Sequence, residues 1–455
     1  MILVMANFIN SDRSQAFLLP PDLRDWLPED DLAHFVIAAV ERVDLSLFKI
    51  NDRGSGKAQY HPRMMLALLI YGYANGIFSS RRLERSTHRD IGVRFVAANT
   101  HPDHDTIAAF RRENQTAFER AFLQVLLLAK ETGLLKVGTV SIDGTKIDAN
   151  ASKIRSVRYD RAQVLRDKLK ADIAELTAKA EAADASDTPD PQALPAEIAR
   201  RDALKSKLDA ACERLEAQAK AEAEAERVAY DANKARYDAK SGRRGRPPVP
   251  PDDDPPPPPE RQTNLTDPDS ALMRKSKHHE YRQAYNAQAV VCAEGTQLIL
   301  STDVSVTPSD QPTFVDTITA MRTGIGLPTT VLADAGFASG PAVAAIEAMQ
   351  IEALVAIART QPQRPYDFRP PRPSSKPDRQ ILEPWRLEMK AKLETEDAKA
   401  KYKLRKQTVE PVFGIIKSVL GFRQFSLRGL KKVKSEWTLL ALAYNCKRMA
   451  AIKPA

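Results

Sequence analysis

Two short apolar runs of strand character lie far apart in the chain, and each ends in an aspartate followed at once by small residues. The first is Val137-Gly-Thr-Val-Ser-Ile-Asp143, followed by Gly144-Thr145. The second is Thr330-Val-Leu-Ala-Asp334, followed by Ala335-Gly336. Period-two alternation puts Val140 and Ile142 on one face of the first run, and Ser141 and Asp143 on the other. A third acid, Glu410, lies in Thr408-Val-Glu-Pro-Val-Phe-Gly-Ile-Ile-Lys417, which reads as a helix with the apolar stripe Val409, Val412, Phe413, Ile416 and Leu420. Two carboxylates on strand ends and one on a helix can converge on one point across a sheet. Oxygen donors of this kind suit hard cations such as Mg²⁺. Paired cations can clamp the attacking and leaving oxygens of a phosphodiester. Each acid alone has an ordinary alternative. Asp before Gly is a common turn, and a solvated Glu is the default on a helix. Lys406, Glu410 and Lys417, however, share one helical face at offsets of four and seven, a basic–acidic–basic row. The three acids together weigh more than any one.

The elements around them follow a definite order. Tyr285–Val291 and Gln297–Val306 flank Glu294-Gly295, a hairpin signal. A helix is predicted from near Ser309-Asp310 to about Thr323, then the strand ending at Asp334, a helix from Ser339 to Gln350 and a strand over Ala353–Ile357. A Pro/Arg-rich loop covers 359–380, and the final helices begin near Glu396. With the segment between the first two strands set aside, three strands precede alternating helix and strand. That is the order of an α/β, ribonuclease H-like fold: a mixed five-stranded sheet with flanking helices. Such sheets bind ligands at strand carboxyl ends.

Residues 1–136 read as a helical DNA-binding domain. Leu66–Tyr73 is a buried helix with Pro62 in its first turn. A polar start at Ser79-Ser80 leads into a basic face, and Asp105 or Thr106 is the expected N-cap of a further helix. Short helices with Arg81, Arg82, Arg85, Arg111 and Arg112 resemble a helix-turn-helix arrangement that contacts DNA, the alternative being a solvated face. Residues 137–154 form the first part of the catalytic core. Residues 155–245 are a charged, coiled-coil-like insert. Leu165, Leu169, Ile173 and Leu176 make one stripe, and Leu204, Leu208, Ala211 and Leu215 another, which predicts two antiparallel helices. Residues 246–264 are a Pro-rich, extended linker. Residues 265–455 hold the rest of the core, with basic C-terminal helices.

The chain of 455 residues carries a net charge of +9. Thirteen Lys/Arg against two Asp/Glu fall within 401–453, so the rest is slightly acidic and the basic character lies beside Glu410. Phe413, Phe422, Phe425 and Trp437 interleave with these charges, which favours a nucleic-acid surface over a solvated tail. Trp437 and Tyr444 themselves read as core. Lys431 and Lys432 can anchor a phosphate backbone. Three unpaired cysteines exclude a disulfide scaffold and a Cys-type zinc site, and fit a reducing cytoplasm. No apolar stretch reaches the length of a membrane span. Asp148, Asp303 and Asp310 read as caps or supporting acids. His278-His279 reads as a loop pair.

On these residues the chain resembles the DDE transposases of bacterial insertion sequences. The resemblance rests on Ser141-Ile-Asp-Gly-Thr145, Asp267-Pro-Asp-Ser270, Tyr285-Asn-Ala-Gln288, Ala333-Asp-Ala-Gly336, Val409-Glu-Pro-Val-Phe-Gly414 and Gly421–Gly429. It extends to Pro102-Asp-His-Asp-Thr106 and Phe110-Arg111 in the helical N-terminus. It implies cutting and joining of DNA at element ends, with Mg²⁺ or Mn²⁺ held by Asp143, Asp334 and Glu410. It also implies double-stranded DNA as partner, a homodimer on that DNA and a place in the bacterial cytoplasm at the nucleoid. Many relatives set an Arg four residues before the helical Glu and a Lys seven after. Lys417 matches; Lys406 occupies the Arg position, with Arg405 and Tyr402 one residue early. A fold-retaining DNA-binding protein without chemistry and a nuclease without strand transfer are the other readings.

Overall fold

The computed structural model describes residues 22–50, 59–184, 193–239, 247–252, 254–274, 278–321, 323–357 and 383–452. It divides into two compact units, Met1–Asn114 and Gln115–Ala455.

The first unit is helical: α1 (Leu32–Glu41), α2 (Pro62–Ala74), α3 (Ser80–Arg89), α4 (Ile91–Val96) and α5 (His104–Glu113). The apolar run of α2 is buried along nearly its whole length, with Pro62 at the first helical position. The cap of α5 is Asp103, ahead of the expected Asp105 or Thr106. Its Oδ1 accepts from the backbone N–H of both Asp105 and Thr106 at 2.9 Å. One carboxylate thus satisfies two donors that the helix start leaves unpaired. Arg111 requires a second correction. It is buried, and its Nη1 donates to Tyr73 Oη at 3.0 Å and to Phe78 O at 2.8 Å. This guanidinium ties α5 to α2 inside the unit and does not belong to the expected DNA-facing row. Arg81, Arg82, Arg85 and Arg112 are exposed.

The second unit is built on a mixed sheet. Its elements are α6 (Gln115–Glu131), β1 (Thr139–Asp148), β2 (Ser156–Arg158), α7 (Tyr159–Asp184), α8 (Ala193–Asp238), β3 (Gln262–Asn264), β4 (Ala271–Met273), β5 (Arg282–Cys292) and β6 (Ile299–Ser305). They continue with α9 (Phe314–Thr319), β7 (Thr330–Ala333), α10 (Gly340–Ala348), β8 (Glu352–Val355), α11 (Pro384–Glu394), α12 (Glu396–Gly414) and α13 (Leu430–Ile452). β1 pairs antiparallel with β5 from Val140–Cys292 to Asp148–Ala284, and β5 pairs antiparallel with β6. On its other edge β1 pairs parallel with β7, and β7 with β8. The order β6-β5-β1-β7-β8 is ribonuclease H-like. The sheet has six strands where five were expected. The additional β4 has three residues beside the start of β5, too few to show an alternation in sequence. The helix expected over 309–323 is a 3-10 turn at Gln311–Thr313 followed by the shorter α9. α11 precedes the expected start near Glu396, with a proline at its N-terminus where a missing N–H costs nothing. The Pro/Arg-rich loop over 359–380 lies outside the described residues.

The expected helical hairpin is α7 packed along α8. Its buried cluster holds Val157, Tyr159, Ala162, Leu208, Cys212 and Leu215, with Leu165, Leu169 and Leu265 against it. Arg261 clasps Glu222 of α8, and Arg214 of α8 pairs with Asp269.

The rings that interleave with basic residues near the C-terminus are core. Phe413, Phe422 and Phe425 each lie 6.4 Å, centroid to centroid, from fully buried Trp437. Trp437 Nε1 donates to Gln288 O of β5 at 2.8 Å. These aromatics hold α13 against the sheet and are not a base-stacking platform. Trp437→Ala is expected to cost about 3–5 kcal/mol, read as a fall in urea midpoint at constant slope.

Candidate active site

Parallel pairing of β1 with β7 stops at Ser141 opposite Leu332. Two residues further on, at matching level, come Asp143, in the middle of β1, and Asp334, just past the end of β7. Asp334 Oδ1 accepts the Gly336 N–H at 2.7 Å and so caps a 3-10 turn over Ala335–Phe337. Asp143 Oδ1 accepts the Gly144 N–H at 2.8 Å.

α12 crosses these strand ends. Tyr402 Oη donates to Ala333 O at 3.0 Å. Arg405 lies between two of the acids, with Nη1 3.4 Å from Asp143 Oδ2 and Nη2 3.6 Å from Glu410 Oε1. The Arg405 side chain is 12 % exposed and Glu410 52 %. Arg405, and not the exposed Lys406, therefore faces the acids. Lys417 sits in a π-helical turn over Ile415–Val419, and its Nζ donates to Lys146 O at 2.8 Å. A π turn carries more residues than an α turn, so the offset of seven from Glu410 does not translate into a shared α-helical face.

Burial is the first cause that pushes the Asp143 carboxyl up to about 6, and the neighbouring Asp334 carboxylate is the second. The Gly144 N–H and Arg405 pull the other way, and Asp310 adds a small further push. Burial lowers the Lys146 ammonium against the opposing pull of Asp310, Asp143 and Asp334. Burial likewise raises Tyr402.

The structure thus sets Asp143 beside Asp334 and links Asp143 to Glu410 through Arg405. Lys431 and Lys432 are exposed at the start of α13. Of the supporting acids, Asp148 pairs with Arg282 at 3.0 Å and Asp303 with Lys434 at 2.6 Å. Asp310 does not cap the turn that follows it. Its carboxylate instead meets Asn286, whose Nδ2 donates to it at 2.6 Å. The sequence signal for this pair is Tyr285-Asn-Ala-Gln288, where two amides alternate through an otherwise apolar strand. His278 and His279 are exposed.

The donor chemistry here is oxygen throughout, as a hard cation requires. Asn286 Oδ1 is buried and has no hydrogen-bond partner, and it lies 2.9 Å from the position of a Cβ added to Gly144. The carboxylates of Asp143 and Asp334 suit a divalent ion, whereas Asn286, opposite Lys146, lies on the other face of β1 from Asp143. Among the described residues no three acidic, His or Cys side chains are close enough to ligate one ion, with Arg405 standing between Asp143 and Glu410.

Residues 258–446 match the family described as Transposase DDE domain, and residues 21–113 match the family described as Transposase domain (DUF772). The sheet order is that of a ribonuclease H-like core, the fold of a DDE domain, and the match over 258–446 supports an enzyme of the polynucleotidyl transferase class. No curated protein and no solved structure matches the chain. The two matches together support a DDE-type transposase of the insertion-sequence type. Asp334 and Glu410 lie inside the matched DDE stretch. Asp143 lies outside both, so its place in the site rests on strand register.

In chelator, Asp143→Asn is expected to raise thermal stability at pH 8 and to lose that advantage toward pH 4. Folded Asp143 binds its proton more tightly than unfolded Asp143, so wild-type stability falls as pH rises from about 4 to about 6. The asparagine does not titrate. The gain at pH 8 is at most about 3 kcal/mol. A pH-independent difference in unfolding midpoint would show that ionised Asp143 is not the destabilising group.

Proposed function

We propose that this transposase cuts and joins the ends of an insertion-sequence element by metal-dependent phosphoryl transfer at Asp143, Asp334 and Glu410. The observation that supports this most is the level placement of Asp143, within β1, and Asp334, just past the end of β7, where the two strands have parted, with α12 presenting Arg405 and Glu410 beside Asp143. In this reading Asp143 and Asp334 hold Mg²⁺ or Mn²⁺, and Glu410 completes the set. When bound, two such ions stabilise charge on the attacking and leaving oxygens of the phosphodiester.

The chain's own residues supply position and charge. The Asp334 carboxylate is oriented by the Gly336 N–H, and Asp143 by the Gly144 N–H. Arg405 offsets acidic charge in a site shielded from solvent, where an unpaired carboxylate is costly. Lys406, Lys417, Lys431 and Lys432 provide cations for the backbone of double-stranded DNA around the scissile phosphate. In the first unit, Arg81, Arg82, Arg85 and Arg112 contact the terminal inverted repeats. Two copies act on paired element ends, in the cytoplasm at the nucleoid. Among the described residues no helix is long and apolar enough to cross a membrane.

Incubation with Mg²⁺ and labelled inverted-repeat DNA tests the chemistry. Wild type is expected to give nicked and then joined products. Asp143→Ala is expected to lose on the order of 10³-fold in rate, because metal stabilisation of the transition state contributes several kcal/mol. Nicks without joined products would favour a simple nuclease. DNA binding without any cleavage would favour a fold-retaining binding protein.

Electrostatic anchoring has its own signature. Replacing Lys431 or Lys432 with Ala is expected to lower the slope of log affinity against log salt by about 1 each, with a uniform loss across DNA sequences. An unchanged slope in filter binding between 50 and 200 mM salt, a range in which phosphate contacts are strongly titrated, removes these lysines from the DNA surface.

A further inference from the structure

β1 ends at Asp148, and the chain turns through a 3-10 segment at Lys153–Arg155 before β2 begins. At the centre of that turn Ile154 is 91 % exposed, more than any other large apolar side chain among the described residues. A single exposed apolar residue on a slack loop needs no explanation. This one stands on a braced turn. Ser152 Oγ accepts the Ile154 N–H at 3.3 Å, and Ser152 O accepts the Arg155 N–H at 3.0 Å. At the end of β3, fully buried Asn264 donates through Nδ2 to Ser152 O at 2.9 Å, and the Leu265 N–H donates to Arg155 O at 3.0 Å. Both ends of the turn are tied down, and Ile154 is held out in water between them.

The surroundings of this tip are cationic. Lys153 and Arg155, on either side of Ile154, are exposed. Among the described residues neither side chain has an acidic partner. The loop that leads to the tip is fastened to the segment before α13: Asn150 Nδ2 donates to Ser426 O at 2.7 Å, and Arg428 Nε donates to Asn150 O at 2.8 Å. Lys431 and Lys432 follow at the exposed start of α13. The tip therefore adjoins the segment that carries the cations assigned above to the DNA backbone.

On its other side the tip borders a groove lined by leucines and by Arg158, Arg161, Lys168 and Asp172. Arg158 is matched by Asp160 at 2.6 Å. At its exposure Ile154 stands clear of that groove, as a wedge does and a groove lining does not. Phosphates attract the flanking cations but offer nothing to an isoleucine, whereas the base stack offers it an apolar slot. DNA-bending proteins use this combination: an apolar side chain enters a base step and partly unstacks it while basic residues grip the backbone. The five residues from Asp143 to Asp148 span about 17 Å, so such a contact falls several base pairs from the acids.

We propose that Lys153–Arg155 is a DNA-contacting tip, in which Ile154 wedges into a base step and Lys153 and Arg155 hold the phosphates beside it. This rests on the reading that the chain acts on duplex DNA, and it assigns a role outside the acid site.

The test is binding of the full chain, in chelator, to an inverted-repeat duplex with 2-aminopurine placed at successive steps. Wild type is expected to brighten the probe at one step, where stacking is lost. Ile154→Ala is expected to abolish the brightening and to weaken binding about 10-fold, in keeping with one isoleucine returned to water, with the salt slope and the unfolding midpoint unchanged. Ile154→Leu keeps an apolar wedge and is expected to retain both signals. Lys153→Ala and Arg155→Ala are each expected to lower the salt slope by about 1. Wild-type brightening and affinity in Ile154→Ala would overturn the proposal, as would a wild type that binds tightly and brightens no step. A change confined to the sedimentation of Ile154→Ala would also overturn it and give the tip to a contact between two copies. If wild type does not bind the duplex at all, the DNA reading itself fails, and the proposal falls with it.

Discussion

β1 is hydrogen-bonded to β5 over nine residue pairs but to β7 over three, and the difference shapes everything around the acids. Held along one edge, β1 runs straight past the point where β7 turns away. Asp143 and Asp334 then stand side by side, half withdrawn from water, where two like charges oppose each other. α12 answers that charge with Arg405, and its own seating depends on a compensated defect. Pro411 has no N–H to give to Gln407 O within the helix. Gln297 Nε2 reaches across from the turn before β6 and donates to that carbonyl at 2.8 Å. The helix therefore continues through its proline to Gly414, and Arg405 and Glu410 stand on the turns before it.

Much of this was legible from residues. The apolar runs that lead into Asp143 and Asp334 became the neighbouring parallel strands β1 and β7, because period-two alternation is a local signal, but β1 continues past Asp143 to Asp148, held there by pairing with β5. The stripes at Leu165, Leu169, Leu208 and Leu215 found each other in the α7–α8 hairpin for the same reason. Local pattern failed where a long-range partner decided the outcome. Arg111 sits in a basic cluster by sequence, but Tyr73 and the Phe78 carbonyl draw it inside. Phe422, Phe425 and Trp437 alternate with lysines and arginines, yet the sheet face above β5 claims them. Whether Arg405 or Lys406 faces the acids depends on the rotation of α12, which no spacing rule specifies. Asp310 reads as a cap because Asp before a turn usually is one. Its real neighbours, Gly144 and Asn286, lie on strands far away in the chain.

Several of the motifs that carry the family resemblance secure the fold. Buried Asp267 accepts from Tyr285 Oη at 2.9 Å and from the Gly429 N–H at 3.1 Å, while Asp269 accepts the Leu430 N–H at 2.7 Å. Glu436, also buried, accepts the N–H groups of Ser426 and Leu427, both at 2.9 Å. The segment between α12 and α13 is thereby fastened to the end of β1, where Asp148 and Phe425 also exchange backbone contact. Gly421, with φ of +80°, ends the π turn in the left-handed region that admits this change of direction. These acids fasten the segment between α12 and α13 beside the end of β1, the strand that carries Asp143.

α8 has one more consequence. Its 46 residues span about 69 Å. Its packed cluster ends near Leu215, and Glu222, further along, is clasped by Arg261. Past Ala223 nearly every side chain faces water. That final stretch is rich in Ala, Glu, Lys and Arg, residues of high helix preference, with Lys234 over the Tyr230 ring. Amide protons along a single rod thus trade with solvent on very different clocks, slow where α7 lies alongside and fast toward Asp238. The rod has a stiff root and a free end that can melt and re-form without disturbing the sheet.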